Sequence, residues 1–398
     1  MKPVAHQLEH LLRTVDSVVP EEELAARLGE GRPLRVKLGV DPTAPDVHLG
    51  WAVVFDLLRR FQEMGHTAVL IIGDFTARVG DPSGTSETRR RLSGEEVRGY
   101  AESCLAMLRP LLLPERLEIR YNSEWLAPMD MSDVLELTAQ VTVARILERE
   151  DFAKRLAEGR PVALIEVMYP LLQGMDSVAV EADVELGGAD QLWNLLVGRD
   201  LQVRHGRQPQ VAVTVPLLVG TDGTRKMSQS LGNYVSVQDP PDAMFGKTMS
   251  IPDEAIGDWL RLATDLPGDE VAGIVAGLDR GDLHPGEVKR RLGREIVARY
   301  WGGAAAREAE VGFDRLFVHK EVPADVPEHP LPAGDPVWLP GALKEAGVVP
   351  STSQGRRLVA QGAVRIDGEV VGEEEVSRAA LAGRVVGVGK RRFVRFVD

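Results

Sequence analysis

A chain of 398 residues with 44% hydrophobic content has material for two or three domains with ample core. Its one cysteine, Cys104, excludes an internal disulfide and a thiolate cluster for structural zinc or iron–sulfur, which fits a reducing, cytoplasmic setting. No apolar stretch reaches the roughly 20 residues of a membrane span, so no membrane partner is expected, and a net charge of −13 argues against nonspecific nucleic-acid binding by the whole surface.

Residues 1–33 read as a polar helical lead-in, with Leu8, Leu11 and Leu12 on one face and a second short helix over 21–28. From Leu34 the pattern becomes strand, loop and helix. The segment 34–40 is strand-like, and 48–64 places Val53, Val54, Leu57, Leu58 and Phe61 on one stripe before Gly65. Residues 67–72 form a continuous apolar run, as in a strand buried on both faces of a parallel sheet. A loop rich in Gly, Ser, Thr and Arg over 80–91 precedes a helix over 94–113 and a strand over 117–121. Residues 131–175 read as helical, broken by Pro161 and Pro170, followed by strand 178–186, helix 191–203 and strand 211–219. Strands alternating with helices predict an α/β fold: a Rossmann-like, doubly wound parallel sheet with a helical insertion over 34–235, binding ligand at the carboxyl ends of its strands. Residues 236–321 read as an α-helical domain, the prolines of 322–336 as a linker, and 337–398 as a small, locally basic α+β domain.

Two constellations carry chemistry. In the first, the loop from Gly39 to Gly50 delivers the chain onto a helix N-terminus, whose free N–H groups attract phosphate. Asp41-Pro42-Thr43 makes a turn, His48 stands at the helix start, and Gly50 permits close backbone approach. The second is Lys226-Met227-Ser228-Gln229-Ser230, flanked by Gly220, Gly223 and Gly232, which suits a mobile loop that places a cation on a leaving pyrophosphate. Singly, each has a plainer reading. A histidine before a helix is often a cap, and a lysine among glycines is often a solvated turn.

The pair resembles the two signature motifs of class I aminoacyl-tRNA synthetases. The text between them, Gly80-Asp81-Pro82-Ser83-Gly84, Tyr121-Asn122-Ser123-Glu124-Trp125, the run from Tyr169 to Asp176, and Gly187-Gly188-Ala189-Asp190-Gln191, is similar to bacterial tyrosyl-tRNA synthetases over essentially the whole chain. The resemblance implies an enzyme that uses ATP with Mg²⁺ as a substrate complex, L-tyrosine and tRNA(Tyr), works as a homodimer, and holds no metal of its own. It implies that Asp81, Tyr169 and Gln173 hold the tyrosine ammonium group and that Asp176 reads the phenolic hydroxyl. Lys37 occupies a pocket position, while Gly188, Asp190 and Gln191 lie near the ribose and the substrate carboxyl. Thr43, His48 and Lys226 would act on the phosphates, with Asp41, Gly50, Trp51, Met227, Ser228, Gln229 and Ser230 around ATP. The basic tail resembles a ribosomal-protein-type RNA-binding domain, which implies contact of Arg356, Arg357, Lys390, Arg391 and Arg392 with tRNA.

Three positions depart from the family pattern, each by losing an ATP-facing polar or cationic group: Trp51 replaces a histidine, Gln229 a lysine, and Thr85 stands where lysine is common. Arg89, Arg90, Arg91 and Arg225 are close enough in sequence to substitute. Those losses leave two alternatives open: a diverged paralogue that activates tyrosine or an analogue for another acceptor, and an RNA-binding protein that has lost catalysis.

Overall fold

The computed structural model describes residues 2–44, 46–82, 92–318, 326–389 and 392–397. The chain divides into two compact units, Met1–Tyr300 and Trp301–Asp398.

The first unit is built on a six-stranded sheet of β1 (Ser17–Val19), β2 (Arg35–Val40), β3 (Thr67–Ile72), β4 (Leu117–Tyr121), β5 (Val184–Gly188) and β6 (Val211–Val215), ordered β1-β6-β5-β2-β3-β4. Strands β2 to β6 run parallel, and β1 lies antiparallel on the outer edge of β6 with Ser17 opposite Thr214. The first segment is therefore not wholly helical. Its β-branched Val18 and Val19 cap a sheet edge, and the Ser17 and Thr214 hydroxyls share a hydrogen bond of 2.7 Å. The chain leaves β2 outward through β3 to β4, then returns to add β5 and β6 on the other side, so the winding reverses between β2 and β5. That reversal opens a crevice at the carboxyl ends of those two strands.

Apolar sequence explains the frame. Val69, Leu70, Ile71 and Ile72 are fully buried along β3, and Val53, Leu57, Leu58 and Phe61 bury the inner face of the Leu49–Glu63 helix. The predicted 94–113 helix ends at Leu108, because Pro110 cannot continue it. Pro170, expected to break a helix, lies inside Leu164–Ala179. An interior proline costs ~3 kcal/mol, whereas burying Tyr169, Leu171 and Leu172 returns roughly 1.5–3 kcal/mol each, so packing wins. The same helix runs through 178–179, and the strand predicted from 178 begins only at Val184. This helix crosses Leu192–Arg204 at two glycines. A Cβ on Gly174 would sit 3.3 Å from Gly198 Cα and 2.6 Å from Leu201 Cδ1. Their contact sets side chains from both helices against the crevice.

Beyond β6 the chain is helical, with Pro241–Met249, Ile256–Ala263, Gly268–Asp279 and Pro285–Phe317, the last kinked at Gly302 (φ 84°, ψ 160°). Trp259 is fully buried and donates from Nε1 to the Val219 carbonyl at 3.1 Å, while Arg299 pairs with the buried Asp56 of the Leu49–Glu63 helix. In the second unit, a sheet ordered Glu369–Val370, Val364–Ile366, Val385–Val388, Arg392–Val397, Glu328–Pro330 packs with the helices Leu339–Glu345 and Thr352–Ala360 around Leu343, Val364, Val386, Val394 and Phe396. Glu328–Pro330 pairs parallel with Arg392–Val397, so part of the expected linker is an edge strand. Proline is tolerated there because an edge strand needs only one row of ladder bonds.

Candidate active site

The crevice is a cavity of about 1050 Å³ whose wall runs from the end of β2 around to the 226–231 loop. Its inner end is acidic and buried. Asp41, just past β2, accepts from Tyr169 Oη at 3.0 Å on one oxygen and from Thr76 Oγ1 at 2.7 Å on the other. Gly73 makes that approach possible, since a Cβ there would lie 2.0 Å from Asp41 Oδ1. Asp176 accepts from Trp125 Nε1 at 2.9 Å and from Asn122 Nδ2 at 3.4 Å, and the same Asn122 amide reaches Thr76 at 2.8 Å. Asp81 accepts from Gln191 Nε2 at 2.9 Å.

Burial pushes the Asp41 carboxyl up to about 7, with Asp81 and Asp176 adding repulsion and the Thr76 and Tyr169 hydrogen bonds opposing it. Burial likewise pushes Asp176 up to about 7, against the favourable field of Lys37 and the bonds from Trp125 and Asn122. The Tyr169 phenol is raised well above its ordinary value by burial and these carboxylates. Carboxyl groups so crowded and desolvated are a natural receptor for an ammonium cation.

The outer end is built from the two motif loops. Thr43 N–H donates to the Asp41 carbonyl at 2.9 Å, which is the predicted turn. His48 precedes the Leu49–Glu63 helix, is 5% exposed, and is lowered to about 4, chiefly by burial, with Lys226 contributing. It is a neutral imidazole at pH 7, able to donate a hydrogen bond but not a charge. Gly50 serves this ring as much as any ligand: a Cβ would meet His48 Nδ1 at 3.0 Å and Met227 Cβ at 3.4 Å. Gly50 N–H donates to Met227 Sδ at 3.3 Å. Gln229 donates its side-chain amide to the Asp46 carbonyl, and Asp46 also accepts from Tyr234 Oη at 3.1 Å and Ser236 Oγ at 2.5 Å. Lys226 Nζ lies 2.7 Å from Asp190 Oδ2, and the Ser228 and Ser230 hydroxyls lie 2.9 Å apart.

Every residue assigned to ATP or tyrosine lines this crevice except Lys37. Lys37 is fully buried beneath it, with Nζ 2.7 Å from Glu185 Oε1, 2.8 Å from Ser177 Oγ and 3.1 Å from the Gln173 carbonyl. A cation so desolvated takes its nearest carboxylate, and β5 supplies one. Asp41, expected beside ATP, lines the crevice and turns its carboxyl to Tyr169 and Thr76. Arg225 is exposed and bonded to Asp222 at 3.1 Å. Thr85, Arg89, Arg90, Arg91, Lys390 and Arg391 lie outside the described residues. In the second unit Arg357 is exposed, Arg356 pairs with Glu374 at 2.8 Å, and Arg392 donates to the Val348 carbonyl at 2.7 Å. Sequence reasoning assigned no role to Gly73, Thr76, Asn122, Trp125, Glu185 or Asn194. Asn122 and Trp125 stood in a quoted motif, but nothing in that motif says that its amide and indole point at a carboxylate 51 or more positions away.

Residues 29–318 match the family described as tRNA synthetases class I (W and Y), and residues 337–375 match the S4 domain. A tyrosine–tRNA ligase of Moorella thermoacetica is 50% identical over 396 residues, covering 98% of this chain and 96% of that protein. The chain belongs to the tyrosine–tRNA ligases of class I. Another member, from Geobacter sulfurreducens, is 47% identical over 397 residues and covers 98% of each chain. The tyrosyl-tRNA synthetase of Archaeoglobus fulgidus, solved as a complex with L-tyrosine, has a TM-score of 0.62 at 24% identity over 77% of this chain and 100% of that one. A truncated mitochondrial tyrosyl-tRNA synthetase of Aspergillus nidulans has a TM-score of 0.63 at 21% identity over 80% and 95%. At those identities the structural likeness carries the fold alone. In this tyrosine–tRNA ligase the crevice joins a buried acidic end to a glycine-bounded outer loop.

Proposed function

We propose that this chain activates L-tyrosine with ATP to tyrosyl-adenylate and transfers the tyrosyl group to the 3′ end of tRNA(Tyr). The observation that carries the reading is the buried Asp41–Tyr169–Asp176 end of the crevice opening onto His48 and Lys226. The amino acid enters inner end first. Asp81, Tyr169, Gln173 and Asp41 receive its ammonium group, Asp176 its phenol, and Gln191 its carboxylate side. ATP, accompanied by Mg²⁺, lies along Gly50, Trp51 and Gly188, with Asp190 at the ribose and Met227, Ser228, Gln229 and Ser230 closing over it. The tyrosine carboxylate attacks the α-phosphorus in line, the bond to pyrophosphate breaks, and Thr43, His48 and Lys226 stabilise the charge on the departing oxygens. Positioning and electrostatics suffice, with no covalent enzyme intermediate. The adenylate ester then loses AMP to a terminal ribose hydroxyl of the tRNA. Lys37 acts from below, holding Gln173 and favouring the ionised form of Asp176.

The helical segment and the S4 unit, through Arg356, Arg357, Lys390, Arg391 and Arg392, bind the tRNA. We also propose a homodimer through the helical insertion, supported by its exposed Met131, Leu135, Val143 and Leu164, between 63% and 80% accessible. The setting is cytoplasmic, in keeping with the substrates. Among the described residues no helix is long and apolar enough to cross a membrane. Trp51 and Gln229 favour one second reading, a paralogue that activates tyrosine slowly for another acceptor. Tyrosine-dependent ATP–pyrophosphate exchange, with and without tRNA(Tyr), is the test. Exchange plus charging is expected; exchange without charging selects the paralogue, and absence of exchange rejects both.

A further inference from the structure

Behind the inner end of the crevice lie two buried side chains with no part in the roles above, Asn194 (2% exposed) and Arg149 (6% exposed). Arg149 immediately precedes the Glu150–Ala157 helix of the insertion. Its Nε and Nη2 hold the Asp151 carboxylate at 2.7 and 2.8 Å, its plane lies 4.9 Å from the Phe152 ring centre, and Nη1 donates to Asn194 Oδ1 at 3.0 Å. From the first turn of Leu192–Arg204, Asn194 Nδ2 donates to Gln173 Oε1 and to Gln191 Oε1, each at 3.1 Å. Gln191 Nε2 then donates to Asp81 Oδ2 at 2.9 Å.

The direction of this chain follows from its first member. A guanidinium has donors and no acceptor, so the Asn194 oxygen must face Arg149 and its nitrogen must face the glutamines. Each glutamine therefore turns its oxygen inward. Gln191 is left with its nitrogen for Asp81, and in the opposite sense its oxygen would confront a carboxylate. We infer that Arg149 and Asn194 are positioning residues that set the amide direction of Gln173 and Gln191 and, through Gln191, aim the Asp81 carboxylate at the substrate ammonium group. The inference rests on the ammonium reading of Asp81 given above. It also ties the helical insertion to tyrosine recognition through three side-chain amides.

The test is calorimetric binding of L-tyrosine, its desamino analogue 3-(4-hydroxyphenyl)propionate, and ATP to the full chain. Wild type should bind tyrosine at least about tenfold more tightly than the analogue; equal binding overturns the ammonium reading itself. Given that preference, Asn194→Asp keeps the size and the acceptor for Arg149 but supplies no donor, so it reverses the glutamines. It should weaken tyrosine by about tenfold or more, weaken the analogue, which retains the carboxylate that faces Gln191 but no ammonium group, by several-fold less than that, and leave ATP within about twofold. Arg149→Lys, still a donor only, should hold tyrosine within about threefold, whereas Arg149→Met should weaken it several-fold and the analogue by clearly less. These two variants carry the test if Asn194→Asp does not fold. Unchanged tyrosine affinity, or equal losses for tyrosine and its analogue, overturns the inference, since a merely structural role does not distinguish a ligand by its ammonium group.

Discussion

Lys37 offers the sharpest perturbation of the platform beneath the crevice. Its side chain is 0% and that of Glu185 2% exposed, and Glu185 also accepts from Ser177 at 2.8 Å and from Gln210. Lys37→Met removes the cation and leaves a buried carboxylate. Breaking one side of a buried pair costs about 3–5 kcal/mol, and the three remaining donors to Glu185, from Ser177, Gln210 and the Gln173 amide at 3.5 Å, place this case near the lower end. Lys37→Met with Glu185→Gln removes both charges while keeping an acceptor for Ser177, so it should return to within about 1 kcal/mol of wild type. Equilibrium urea unfolding followed by tryptophan fluorescence measures both. A single variant destabilised by less than about 1 kcal/mol, or a double variant no more stable than the single, refutes the assignment of Lys37 as a charge-paired support.

Three other outcomes are expected from the same end of the molecule and its outer loop. Because Asp41 and Asp176 are raised to about 7, the pocket retains protons at pH 6 that oppose receipt of the ligand's ammonium group at Asp41 and of its phenol at Asp176. Tyrosine affinity should rise by roughly tenfold from pH 6 to pH 8 for one controlling group, with proton release visible as a buffer-dependent binding enthalpy; a flat profile counts against the acidic receptor. By the same sign, these carboxyls favour the folded state below their unfolded value of about 4, and that contribution is lost as pH rises through about 7. Gly73→Ala puts a carbon 2.0 Å from Asp41 Oδ1 and 2.4 Å from Thr76 Oγ1, so tyrosine binding should weaken by about tenfold or more while ATP binding holds; an unaltered tyrosine dissociation constant would show that Asp41 does not touch the ligand. Lys226→Ala should slow single-turnover adenylate formation by about 10²-fold with tyrosine affinity within about twofold, and equal losses in both would reject its phosphate role.

What could be read ahead of the coordinates tracks local signal. The run 67–72 and the apolar stripe of 48–64 announced β3 and its neighbouring helix, because burial on two faces and on one face leave different periodicities. Ser17–Val19 escaped notice since three residues show no alternation, and its partner β6 lies nearly 200 positions away. Pro170 misled because local propensity was outweighed by tertiary packing. The site divides similarly. The two motif loops were legible from glycine, lysine and histidine spacing, but the grouping of Asp41 with Tyr169, 128 residues later, was not. Asp41 sits in a run expected to face the nucleotide, and its carboxyl meets Tyr169 and Thr76, partners far from it in sequence. Lys37 was placed in the pocket by resemblance, yet a carboxylate on the adjacent strand at Glu185 draws it underneath.

The departures at Trp51 and Gln229 take on a definite sense beside His48. Burial lowers His48 to about 4, so its neutral imidazole supplies direction rather than charge. Trp51 stands edge-on to that ring with centroids 6.1 Å apart, adding apolar surround rather than a cation. Gln229 spends its amide on the Asp46 carbonyl and so fastens one motif loop to the other. Among the described residues lining the crevice, positive side-chain charge then rests on Lys226, which pairs with Asp190 at 2.7 Å. On the assignment proposed above, ribose hydroxyls and Lys226 compete for the same carboxylate. On that same assignment, nucleotide arriving at Asp190 would free the lysine for the phosphates and so place the cation where charge develops.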